Sequence, residues 1–370
     1  MTARPIRYIR DFASSYHFHA VVGLCLSLTL FVDANRINAQ GKLNFTLVKG
    51  PNGKGLGKIR NMSQDPYGYM WFAGEGEGAS CVYRYDGNRF LTFRHEDANP
   101  NSLGGVGINS VYADNSGVIW IGLNEGLDEF NPANGIFKHY RHVSNDPSSL
   151  GGGVGPNGPI LRDRRGRLWL GTDHGLDQLD EKTGKFIHYR NEPGNPKSLS
   201  SNVIWTIYED HQGVIWVGTG LPWFKKDPED GGLNRLNDDG TFTRFMHDPN
   251  DPHTLINNKV AAIFEDSHGT FWVGTSGDGL HTMDRRTGKF DRHPYDPKKP
   301  DQLSRPPLRL HADNDKITFI TEDSTGSIWI GTMYSGINRY NIDTKKITHL
   351  EHSYGFPDST SWNISVSRDG

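Results

Sequence analysis

Val203-Ile204-Trp205-Thr206-Ile207-Tyr208, then Asp210-His211-Gln212-Gly213, then Val214-Ile215-Trp216-Val217-Gly218-Thr219 is the stretch that decides how this chain folds. Apolar residues alternate with a period of two on both sides of an Asp-x-x-Gly turn, the pattern of a β-hairpin and not of a helix. The hairpin recurs: Trp71, Trp120, Trp169, Trp216, Trp272 and Trp329 are spaced 49, 49, 47, 56 and 57 residues apart. Their turns are Asp65-Gly68, Asp114-Gly117, Asp163-Gly166, Asp210-Gly213, Asp266-Gly269 and Asp323-Gly326. Two more strand-like runs follow each hairpin, as in Gly175-Leu176-Asp177-Gln178-Leu179 and Lys185-Phe186-Ile187-His188-Tyr189. Four short strands per repeat, with no helix-period segment between repeats, predict an all-β chain folded as a β-propeller.

The units lie near residues 56–99, 100–147, 148–196, 197–252, 253–302 and 303–355. A seventh, partial unit (356–370) starts its inner strand at Trp362-Asn363-Ile364 and reaches only Asp369-Gly370. Residues 43–48, Leu-Asn-Phe-Thr-Leu-Val, have strand character and no partner in their own repeat, so they are expected to close the ring as an outer strand. The expectation is a seven-bladed propeller over residues 40–370 with the last blade incomplete: its second and third strands missing and its edges open.

The units resemble the two-component regulator propeller repeat, as in Ser198-Leu199-Ser200-Ser201-Asn202-Val203 running on through Trp216-Val217-Gly218-Thr219 to Gly232-Leu233-Asn234-Arg235-Leu236. That resemblance covers about residues 45 to 370. It implies the exported sensor region of a hybrid histidine kinase, of the kind found in glycan-degrading Bacteroidetes. It also implies further parts, a membrane span and a cytoplasmic kinase among them, that this sequence does not contain; any link to a membrane or to kinase activity would run through them.

Arg4, Arg7 and Arg10 lead into an apolar run from Ala20 to Val32, followed by Ile37-Asn38-Ala39. The run is too short to span a bilayer as a helix and has the layout of a secretory leader over residues 1–39, which points to the periplasm. Cys25 is preceded by the bulky Leu24, so a lipid anchor is not expected. Cys81 is then the only cysteine left, and no disulfide framework or multi-thiolate zinc site can form. The net charge is −3 and no basic run exceeds three residues, which excludes nucleic acid as a partner.

A small-molecule or oligosaccharide ligand is the expected partner, and a second copy of the chain is another candidate. In unit four the loop from Gly218 to Gly232 is 14 residues, against 4 from Gly171 to Gly175 in unit three. It carries Trp223 and Phe224, aromatics without a core role, suited to stacking on a sugar. Asn109, Asn202 and Asn258 are placed just before the inner strand, and Asp173, His174, Asp278 and Tyr334 in the loop after the Trp strand. All nine are candidate ligand-binding residues on one face; the six repeat tryptophans are structural. His139 and His188 share an outer-strand column with Thr92, Arg244, Arg292 and His349, read as solvent-facing rather than metal-binding. Gly153-Val154-Gly155-Pro156-Asn157-Gly158 fits a dinucleotide string but no amphipathic helix follows. No cofactor, metal or catalytic residue is expected. The leading reading is a non-catalytic sensor; a propeller lyase or hydrolase, or an interaction scaffold, are the alternatives.

Overall fold

The computed structural model describes residues 19–24, 28–33, 45–51, 53, 55–76, 78–155, 158–221, 231–277, 279–294, 316–333, 336–350 and 361–367. Blade four shows how a unit is built. Its inner strand Ile204–Glu209 pairs antiparallel with Ile215–Thr219, which pairs with Gly232–Leu236, which pairs with the outer strand Phe242–Phe245. Five other stretches repeat that four-stranded meander, giving six blades of contiguous chain at residues 58–93, 108–141, 160–189, 204–245, 260–292 and 317–350.

The expected seven-bladed ring with an incomplete last blade is corrected here. Six blades come from contiguous repeats, and Ser361–Val366 is not a lone inner strand flanked by a gap. It heads a complete four-stranded sheet whose other strands come from the opposite end of the chain, His19–Leu24, Leu28–Asp33 and Phe45–Val48, in that order. The open edges expected on either side of a gap are therefore filled. The physical reason is that the apolar run read as a leader also has the composition of two strands, and treating it as removed took those strands out of the count. Its register is that of the repeats: Gly23 stands opposite Asn363, as Gly218 stands opposite Thr206 and Gly274 opposite Ala262.

The core is a set of layers between blades. Trp71 shares a buried cluster with Ile119 and Ile121 of blade two, Trp120 with Leu168 and Leu170 of blade three, and Trp216 with Phe271 and Val273 of blade five. All six repeat tryptophans are at most 4% exposed. Each indole Nε1 donates to the turn aspartate six residues earlier, at 2.8, 3.1, 2.9, 2.8, 2.8 and 2.7 Å in blades one to six. The other carboxylate oxygen accepts the backbone N–H groups two and four residues on, as Asp266 does from His268 and Thr270. A buried carboxylate without such donors would be costly, so Asp and Trp are needed together. At Asp163, burial pushes the carboxyl up, but hydrogen bonds from Trp169 and Arg167 outweigh it and hold it below the usual carboxylate range. The glycine two residues after Trp marks a close approach: a Cβ at Gly218 would sit 2.5 Å from Thr206 Cγ2 and 2.8 Å from Val260 Cγ1 of the next blade.

Candidate functional site

Each inner strand turns one edge toward the ring axis, and its N–H and C=O groups there need partners. Side chains of the preceding blade supply several of them. Asn61 Oδ1 accepts the Val111 N–H at 3.1 Å, Ser63 Oγ accepts the Ala113 N–H at 3.0 Å, and Tyr208 Oη accepts the Glu265 N–H at 3.0 Å. Between the inner strands of all six blades lies a cavity of about 260 Å³, lined among others by Asn61, Ser63, Ser110, Trp205, Thr206 and Thr318. At a water's share of about 30 Å³ that is room for about nine waters, or one small polar ligand.

Two features give the cavity its chemistry. Five of the six inner strands shift register one or two steps after they begin, at Arg60, Asn109, Trp205, Ala261 and Thr318. A bulge of this kind re-aims a side chain locally. Trp205 and Thr318 both sit on it and both line the cavity. In addition, Ser110 Oγ and Thr318 Oγ1 are buried without a hydrogen-bond partner among the described residues. Buried hydroxyls are normally satisfied, so these are spare donors and acceptors at the cavity wall. Sequence reasoning misses Trp205 and Thr318 because each falls inside an ordinary alternating strand; aligning the units on their turn aspartates would have shown the shared column.

The other candidate residues fare unevenly. Trp223, Phe224, Asp278 and Tyr334 lie outside the described residues. Asn202 and Asn258 occupy one position, eight residues before the turn Asp, and cap loops: Asn202 Oδ1 accepts the Asn191 N–H at 2.7 Å and Asn258 Oδ1 the His247 N–H at 2.6 Å. Asn109 is three residues further along, inside its strand at the bulge, so the shared placement of the three is corrected. Its amide donates to Asn124 Oδ1 and to the Val154 carbonyl, both at 2.8 Å. Asp173 and His174 are exposed neighbours joined at 2.7 Å.

The outer-strand histidines reach solvent, His139 exposed and His188 half-buried, but each is also hydrogen-bonded inward. His139 and His188 each bond, at 2.8 Å through Nδ1, to the fully buried Asp128 and Asp177 of the third strand. Those aspartates also accept the Gly104 and Gly151 N–H groups at 2.7 Å, tying the loop ahead of the inner strand to the third strand of its own blade. Asn234 fills this column in blade four and His281 in blade five. His281 is wholly buried; its Nε2 accepts the Ile256 N–H at 3.0 Å and its Nδ1 faces the Val273 and Gly279 carbonyls. Burial lowers its pKa to about 3, so it is neutral in the folded protein. The polar columns thus fasten each blade's entry loop to its third strand, and among the described residues no three His, Cys, Asp or Glu converge as a metal site.

Residues 198–220 and 254–277, the start of blades four and five, match the two-component regulator propeller family. In these two segments the chain carries two-component regulator propeller repeats. No curated protein matches it significantly. Among solved structures, it is similar to the extracellular domain described as that of a hybrid two-component system of B. thetaiotaomicron: 24% identity, 84% of this chain and 38% of that one, TM-score 0.63. It is similar to PorZ, a surface component of the type-IX secretion system of Porphyromonas gingivalis, at 18% identity over 92% of this chain and 49% of that one, TM-score 0.60. The virginiamycin B lyase of Staphylococcus aureus matches at 12% identity over 79% of this chain and 83% of that one, TM-score 0.52. Likenesses at these identities show a shared fold. The chain spans less than two thirds of either of the first two proteins.

Proposed function

We propose that the chain is the non-catalytic, ligand-sensing propeller of a two-component signalling sensor, exported to the periplasm, with a small carbohydrate-like molecule as its ligand. The observation that carries the ligand half is the axial cavity, whose lining includes Ser110 and Thr318, with hydroxyls unpartnered among the described residues, and Trp205. A sugar presents hydroxyls for the first and a flat apolar face for the second. The repeat match and the likeness to an extracellular domain of a hybrid two-component system support the signalling half. The lining favours binding over acid–base chemistry, since its described residues include no carboxylate, histidine, lysine or cysteine, only Tyr112 among Asn, Ser, Thr, Trp, Phe, Met and aliphatic side chains.

Thermal-shift screening against mono- and oligosaccharides tests the reading, because a ligand at 100 times its Kd stabilises by about 2.7 kcal/mol. Thr318→Val, which removes one spare hydroxyl and keeps the shape, is expected to weaken any hit. A sugar hit whose affinity Thr318→Val leaves unchanged would move the site away from the axis, and the absence of any hit would remove the carbohydrate reading.

A further inference from the structure

The position five residues before the turn Asp, where the inner strands shift register, is Arg60, Asn109, Trp205, Ala261 and Thr318 in blades one, two, four, five and six. In blades one and two its side chain is held by the residue four after the repeat tryptophan. Arg60 Nη2 donates to Glu75 Oε1 at 3.1 Å, and Asn109 Nδ2 donates to Asn124 Oδ1 at 2.8 Å. The Arg60 and Glu75 side chains are 41% and 43% exposed, so this ion pair sits in water, and neither Arg60 nor Asn109 lines the axial cavity. In blades four, five and six the partner position is Gly220, Ser276 and Met333. There the column lines the cavity instead: Trp205, Ala261 and Thr318 are all part of its wall, and Thr318 Oγ1 has no hydrogen-bond partner among the described residues.

The inner strands carry almost no charge at this depth. Across residues 60–63, 109–112, 158–161, 205–208, 261–264 and 318–321, the positions five to two before each turn Asp, Arg60 is the only ionised side chain, and Glu75 holds it. Lys58, Lys259 and Lys316 stand two residues ahead of the column and do not line the cavity. An ion drawn into such a cavity gives up its water and meets no counter-charge, a cost that one or two hydroxyls do not offset. A neutral polar ligand keeps its hydrogen bonds by exchanging water for groups such as Ser110 Oγ and Thr318 Oγ1.

We infer that the axial cavity takes an uncharged ligand, a neutral sugar rather than a uronic acid, a sugar phosphate or an amino sugar, and that the register-shift column of blades four to six sets this selectivity. The selectivity presupposes that the cavity is a sugar site, as proposed above. Blade six is where it can be changed. Met333 stands where Glu75 holds Arg60, so an arginine at position 318 would have no carboxylate in that place to take it up, and its charge would remain at the cavity wall.

Isothermal titration of the full chain tests this with each neutral sugar that the thermal-shift screen finds, beside the uronate of the same sugar: galactose with galacturonate, glucose with glucuronate. The neutral member is expected to bind tighter by about tenfold or more. Thr318→Arg, which copies the residue that blade one carries in this column, is expected to reverse the order in a protein with unchanged circular dichroism. A uronate that binds the native protein as tightly as its neutral partner overturns the inference and leaves the sugar reading standing. A folded Thr318→Arg that still prefers the neutral sugar overturns the assignment of selectivity to this column; should that variant not fold, the native comparison decides alone. A screen without a single sugar hit removes the sugar reading, and the inference falls with it.

Discussion

Acidification from pH 7.5 to 4.5 perturbs His281 before it perturbs the turn aspartates. In the folded protein its pKa is about 3, and its ordinary value is 6.5. Between those values the unfolded chain binds the proton and the folded one does not, so stability falls as pH falls through 6.5 and levels off only near 3. The difference amounts to about 2 kcal/mol at pH 5 and about 3 kcal/mol at pH 4.5. The site is fully buried, so solvent screening does not reduce the figure. His95 acts in the other direction: its hydrogen bond to the Leu103 carbonyl raises its pKa, so its contribution is present at low pH and lost as pH rises. Asp114 and Asp163, held below the usual carboxylate range, lose theirs only at lower pH.

His281→Asn isolates the effect, because Asn234 already does the same work in blade four. Asn234 Oδ1 accepts the Ser200 N–H at 2.9 Å, as His281 Nε2 accepts that of Ile256, and Asn234 Nδ2 donates to the Val217 and Gly232 carbonyls. Urea unfolding followed by tryptophan fluorescence at pH 7.5, 6, 5 and 4.5 should show the native protein losing stability steadily. The variant should lose about 3 kcal/mol less over the same span. Parallel pH curves for the two proteins would refute the assignment, as would an imidazole NMR signal of His281 that titrates near 6.5.

Trp216→Ala should cost on the order of 3 to 5 kcal/mol, since it empties the layer shared with Phe271 and Val273; a loss below 1 kcal/mol in urea unfolding would show that the inter-blade layer is not the core. Removing residues 1–39 takes two strands from the closing sheet and leaves facing edges on Ser361–Val366 and Phe45–Val48, so the shortened protein should self-associate in size-exclusion chromatography. A stable monomer with an unchanged melting temperature would show that those strands are dispensable to the ring.

The repeat was legible because one residue type per column carries a physical demand. Trp needs a layer to fill, and Gly needs the absence of a Cβ where two blades meet. The Asp–Trp bond was also present in the spacing of six, but a turn aspartate explains itself locally and hides its second task. Asn109 misled for a related reason: counted from the nearest strand it matches Asn202, and counted from the turn Asp it does not. The closing sheet was hidden because an apolar run of 13 residues satisfies a leader and a pair of strands equally well. Export with removal of residues 1–39 and use of residues 19–33 in the ring are alternative fates of one segment.

Divergence between units has more to say about function than their sameness, and it is informative only in pairs. At the turn face a donor without its acceptor would cost stability if buried and would be silent if exposed. Glu265 and Glu322, each one residue before its turn Asp, accept the His211 and Ser267 N–H groups of the preceding blade's turn, both at 2.7 Å. Pro66, which has no N–H, and Ala113, in the glutamate's place in blade two, change together, so that seam loses both halves of this latch at no cost. Arg162 replaces the glutamate in blade three and reaches the turn carboxylate of Asp114 instead, at 3.1 Å, so the seam stays polar by another route. The same logic applies at the axis, where Asn61, Ser63 and Tyr208 satisfy their neighbours' backbones and Ser110 and Thr318 do not.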